Sequence, residues 1–142
     1  MCLPFRDLAE RTLGNGEHKG FKWEIVSNRM GFRCGYVRVL PGHPWFGKSY
    51  NDIDADVHGG LTFTEHGSDC KDHQGKDEWW VGFDCAHSGD APDPALRMDN
   101  PVSAILGSGM GYGTVKSQRY VERECRSLAE QAATIAQGNH DR

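Results

Sequence analysis

Residues 52–64, Asp-Ile-Asp-Ala-Asp-Val-His-Gly-Gly-Leu-Thr-Phe-Thr, alternate polar and apolar side chains with a period of two. In extended backbone, side chains two apart share a side. Asp54, Asp56 and His58 therefore fall on one face, and Ala55, Val57, Leu61 and Phe63 on the other. Asp is a poor strand former, so two carboxylates and an imidazole in a row suggest a site rather than a solvated strand surface. The run is read as a strand over residues 53–64.

Three further runs alternate in the same way: 21–26, 33–40 and 77–85. In the second, Val37 and Val39 oppose Tyr36 and Arg38; in the last, Trp79, Val81, Phe83 and Cys85 oppose Trp80, Gly82 and Asp84. Val121, Cys125, Leu128, Ala132 and Ile135 repeat at helical spacing and mark the buried face of a helix over 117–137. Gly138 stands where its C-cap is expected, and Glu122 with Arg126 forms an i,i+4 pair. The fold class expected is α+β: one domain, residues 1–142, with a small, mainly antiparallel sheet of about four strands and a C-terminal helix packed on one face. Residues 1–20 form an N-terminal arm with a short helix over 4–13 ended by Gly14-Asn-Gly16. Residues 21–85 form the sheet, 86–116 a long Gly/Pro-rich loop, and 117–137 the helix.

A chain of 142 residues with formal net charge −4 and 18 glycines fits one turn-rich domain. Its acidic balance gives no general attraction to duplex nucleic acid or to an anionic membrane, although a local basic pocket remains compatible with it. Five cysteines at irregular spacing, with no leader in front of them, fit free thiols in a reducing cytoplasm. No apolar run reaches the length of a membrane span.

If the helix covers Val37, Val39, Val57, Leu61, Val81 and Phe83, the opposite face collects Tyr36, Arg38, Asp54, Asp56, His58, Trp80 and Asp84. Such a face suits a ligand with a flat ring and phosphorylated groups. Tyr36 and Trp80 would stack on the ring, Arg38 would pair with phosphate, and Asp54 or Asp84 would accept from ribose hydroxyls or a base amine. His43 and His58 would donate. The loops 41–50, with Trp45, and 84–90, with His87 and Asp90, would wall the pocket. The plain alternative is a wetted sheet face, the norm for antiparallel sheets. Asp54, Asp56, His58 and Asp84 could instead hold Mg²⁺ or Mn²⁺ for phosphoester cleavage, with His58, Asp84 and His87 as catalytic groups. Cys85 and His87 with Cys70 and His73 have loose zinc spacing, against which Cys85 reads as an inert core thiol. Gly107-Ser-Gly-Met-Gly-Tyr-Gly113 fails the dinucleotide fingerprint and reads either as a loop closing over a ligand or as disorder.

The motifs Gly35-Tyr-Val37, Gly42-His-Pro44, Asp52-Ile-Asp54, Val57-His-Gly-Gly-Leu-Thr62, Trp79-Trp-Val-Gly-Phe-Asp-Cys-Ala-His87 with Asp90, and Tyr120-Val-Glu122 resemble a group of short bacteriophage and prophage proteins. The resemblance covers about residues 33–130. It implies a phage origin and a cytoplasmic place in the host, and it brings no assigned catalytic residues. Phage accessory proteins of this size often counter host defence, some as sponges for nucleotide immune signals. The function expected is therefore binding of a nucleotide-like small molecule without turnover, a role compatible with a homo-oligomer. The alternatives are a phosphoesterase and a protein–protein inhibitor presenting loop 41–50.

Overall fold

A computed structural model of the chain describes residues 11–28, 30–67, 75–86, 89–96 and 113–140, with residues 139 and 140 described by backbone alone. Five antiparallel strands form the main sheet: β1 (Arg11–His18), β2 (Phe21–Ser27), β3 (Arg33–Val39), β4 (Phe63–His66) and β5 (Trp79–Asp84), in the spatial order β1-β2-β3-β5-β4. Two-residue strands β6 (Asp90–Ala91) and β7 (Thr114–Val115) pair in parallel beside it, and helix α1 runs from Gln118 to His140. The α+β class is as expected, with five strands in place of four.

The additional strand is β1, which takes in the last three residues of the helix expected over 4–13 and its glycine stop; residues 4–10 lie outside the described residues. Its hairpin with β2 closes through Lys19 and Gly20, both at positive φ (54° and 86°), the backbone of a two-residue turn that matches strand twist. Gly16 lies opposite Trp23, where a Cβ would strike the indole ring, so the glycine makes room for the tryptophan. Asn28 shapes the next turn: its Oδ1 accepts from the backbone N–H of Met30 (3.0 Å) and Phe32 (3.1 Å).

Parity works as the sequence implied on β3 and β5. Val37, Val39, Val81 and Phe83 face α1 and pack with Trp23, Ile25, Val121, Cys125, Leu128 and Ala132 in the main core. Tyr36 and Trp80 face the other way and pack with Val26, Cys34 and Phe63. Gly35 and Gly82 sit where these layers touch: a methyl on Gly35 would meet Phe83 and the Cys125 sulfur, and one on Gly82 the Tyr36 ring. Ser117 caps α1, its Oγ accepting from the Tyr120 N–H at 3.2 Å. The helix passes through Gly138 instead of ending there, Ile135 is 43% exposed rather than buried, and Glu122 and Arg126 form no ion pair.

The run 53–64 departs most from expectation. Only Phe63 and Thr64 join a strand; residues 53–58 pair with no strand and lie along α1. β3 already has β2 and β5 as neighbours, so no ladder site beside it is open. Gly59 and Gly60, at φ 69° and 81°, turn the chain back toward β5. The period of two survives: Ile53 and Val57 are buried, while Asp54 and Asp56 are exposed. The strap's backbone bonds to helix side chains. Gln131 accepts from the Asp56 N–H (2.7 Å) and donates to the Asp56 carbonyl (2.8 Å), and Glu124 accepts from the His58 N–H (2.8 Å).

Each such bond contributes about 1 kcal/mol net. Gln131→Ala is accordingly expected to cost about 2 kcal/mol by urea denaturation, and Gln131→Glu, which keeps only an acceptor, about half of that or more. No change in the midpoint for either variant would mean that the strap is not held this way.

Candidate functional site

The residues singled out in the sequence separate into three places. On the sheet face away from α1, Arg38 donates to Glu78 (2.8 Å), and Glu78 also accepts from the Trp80 indole N–H (3.3 Å). This face is closed: Trp80 is 0% and Tyr36 8% exposed, and Glu24 is buried on the same side. Among the described residues no open stacking platform exists there, and Arg38 already carries a carboxylate partner. Asp84 closes a local turn, accepting from the Ala86 N–H (3.1 Å) and from the Thr62 hydroxyl (3.2 Å).

His58 is not with them. It lies on the helix side, where its Nε2 meets the Asp90 carboxylate at 2.8 Å and its Nδ1 meets the Tyr120 hydroxyl at 2.9 Å. A carboxylate only accepts, so Nε2 donates to Asp90; in the neutral ring, Nδ1 accepts from Tyr120. Lys116 Nζ reaches Asp90 from the other side at 3.2 Å, and the Asp90 side chain is only 2% exposed. A carboxylate this buried needs such partners. Arg33 fixes the surroundings by donating to the Lys116 carbonyl (2.9 Å), to Gln118 (3.2 Å) and to Asp93 (3.0 Å). The cluster thus ties the strap, β6 and the start of α1 to the sheet. Burial and the neighbouring Glu124 push the Tyr120 phenol above its ordinary range, so it stays protonated. Lys116 was not singled out in the sequence, and Tyr120 only as part of a motif and not as a site residue, because neither belongs to an alternating run and the long loop hid their approach to Asp90.

The third place lies under and beside the second half of α1. His43 Nε2 donates to the Ala132 carbonyl (2.9 Å), and its Nδ1 accepts from the Trp45 N–H (3.0 Å), which fixes a neutral ring. Burial lowers its pKa below 6.5. Trp45 is itself core, 4% exposed, so loop 41–50 turns this aromatic inward. Its remaining edge, together with exposed Asp54, lines an open groove of about 490 Å³ whose other wall is Ser127, Glu130, Gln131, Thr134, Ile135 and Gly138. Asp54 has no hydrogen-bond or ion-pair partner among the described residues, while Glu130 meets His18 at 3.1 Å.

Cys85 is buried, and desolvation, aided by Asp90, pushes its thiol to about 12; burial also raises Cys125. Cys85 is thus the inert core thiol that its parity implied. Cys70, His73, His87 and residues 107–112 lie outside the described residues. Among the described residues, no group of three or more His, Cys, Asp or Glu side chains is placed to hold a metal ion, and no helix is long and apolar enough to cross a membrane. No family model, no curated protein and no solved structure matches the chain.

Two outcomes follow. Trp80→Ala removes a fully buried ring and is expected to cost about 3–5 kcal/mol by chemical denaturation; a near-neutral result would show that this face opens. His43 has a folded pKa below its unfolded value, so in acid the unfolded chain binds the extra proton. Its contribution is complete above pH 6.5 and is lost as pH falls from there toward the folded pKa. The stability gap between the native chain and His43→Gln should narrow over that window in urea titrations at several pH values. A constant gap would contradict the buried neutral ring.

Proposed function

We propose that the chain is a phage-type accessory protein that binds a nucleotide-like small molecule without turning it over, with the groove beside α1 as its site. The observation that carries this reading is the groove itself. Its volume of about 490 Å³ falls within the roughly 300–1,000 Å³ usual for small-molecule sites. Two residues chosen from the sequence on chemical grounds, Trp45 and Asp54, line it together. The Trp45 edge and Ile135 offer apolar contact to a base, and the unpaired Asp54 accepts from a base amine or from ribose hydroxyls. Sequestration is favoured over turnover because Cys85 and Tyr120 are both held protonated and neither is an activated nucleophile. The phage assignment, and with it a role against host defence, rests on the resemblance of the motifs between residues 33 and 130.

A second reading, an enzyme acting on phosphoesters, is favoured by the Asp90–His58–Tyr120 chain, in which a carboxylate orients an imidazole as in an assembled general base. Here His58 works with Asp90, and Asp54 stands apart in the groove.

The readings separate in one experiment. The protein is incubated with nucleosides, nucleotides and cyclic dinucleotides, freed of excess, heat-denatured, and the released material identified by mass spectrometry. Intact ligand, with capture reduced at least tenfold in Asp54→Ala, is the expected result. Cleaved ligand, with cleavage lost in His58→Ala, would replace binding by catalysis. No retained ligand would overturn both readings.

A further inference from the structure

One exposed line of α1 is unexplained by the fold. Arg119, Arg123 and Arg126 stand at i, i+4 and i+7, all three exposed, and none makes a hydrogen bond or ion pair among the described residues. At a 1.5 Å rise per residue they span about 10 Å along one side of the helix. The arrangement is locally unfavourable on two counts. Arginines four apart repel each other, and Arg119, in the first turn, opposes the helix dipole. The first turn of α1 holds no acidic residue to offset this. Glu122 lies between Arg119 and Arg126 in the chain without pairing with either, so in a chain of net charge −4 three guanidiniums without a partner among the described residues make a local cationic strip.

The strip is continuous with the groove. Ser127, a groove residue, follows Arg126 in the chain and lies one helical turn from Arg123; Glu130, at the groove's rim, lies one turn from Arg126. Charge therefore changes sign along one side of the helix, from Asp54 and Glu130 in the groove to three arginines toward the N-terminus. Phosphate is repelled by the groove and attracted to the strip, where the planar guanidinium fork matches its oxygens.

We propose that the ligand is a nucleoside bearing two or more phosphates, its nucleoside in the groove against Asp54 and its phosphates along Arg126, Arg123 and Arg119. This rests on the small-molecule reading of the groove. It goes beyond that reading by fixing the ligand's orientation and class: a single nucleoside leaves the strip empty, and a polyphosphate or dinucleotide fills it.

The test is calorimetric titration of the full chain with adenosine and guanosine and with their mono-, di- and triphosphates, at two salt concentrations. Affinity is expected to rise about tenfold or more from nucleoside to diphosphate, and to weaken in high salt. The double variant Arg123→Gln, Arg126→Gln is expected to bring the diphosphate down to nucleoside affinity. Nucleoside binding and the urea midpoint should stay as in the native chain, a readout that a merely structural role would not leave unmoved. If the diphosphate binds no better than the nucleoside, or the double variant binds it as the native chain does, the proposal is overturned while the groove reading stands on its nucleoside binding. If the native chain binds no nucleoside or nucleotide, both fall. If a single-stranded oligonucleotide binds more tightly than any nucleotide and loses affinity in the same variant, the strip belongs to a nucleic-acid strand and the proposal is also overturned.

Discussion

The amide of Gln131 and the carboxylate of Glu124 do for residues 53–58 what a neighbouring strand would otherwise do. Buried or half-buried backbone must find hydrogen-bond partners, and this extended segment has no strand beside it. Gln131 supplies one donor and one acceptor to Asp56, and Glu124 one acceptor to His58. That substitution lets the strap lie on the helix with Ile53 and Val57 pressed into the main core. It also aims the alternate side chains outward at two different places: Asp54 into the groove and His58 onto Asp90.

The Asp90 cluster is the second fixed point. A nearly buried carboxylate is costly unless cations and donors reach it, and here His58 from the strap and Lys116 from the segment before α1 do so. Arg33 holds the Lys116 backbone, so one strand of the sheet positions the lysine that neutralises a loop carboxylate. The small β6–β7 ladder and the cap at Ser117 complete this end of the helix. The groove and the arginine strip run away from it along α1, on helix sides that the sheet leaves uncovered.

Much of the fold was legible because period two is a strong signal when a buried helix face supplies one side. The parity of Val37, Val39, Val81 and Phe83 against Tyr36 and Trp80 is correct, and so is the core placement of Cys85. The same alternation misled at 53–58. It reports that every second side chain is buried and is silent about what pairs the backbone, so a strap on a helix reads like a strand in a sheet. The error carried His58 to the wrong side of the sheet. Polarity misled as well: Tyr36, Arg38 and Trp80 looked like a ligand face, and they are a closed layer in which Glu78 takes both the guanidinium and the indole N–H. β1 was missed because Gly14 and Gly16 resemble loop residues, whereas Gly16 is the space that Trp23 needs. Of the residues named from sequence, Trp45 and Asp54 line one groove, and His58 bonds to Asp90. Lys116, Tyr120 and the helix wall of the groove were not legible as site residues, since their approach depends on tertiary packing between segments far apart in the chain.

Amide hydrogen exchange at Asp56 and His58 tests the strap most directly. Both amides should exchange as slowly as those in the middle of α1, and Gln131→Ala should release the Asp56 amide while leaving β3 and β5 protected. Exchange at both positions as fast as in an open loop, or protection that survives Gln131→Ala unchanged, would contradict the pinning of this segment to the helix, and with it the placement of Asp54 and His58.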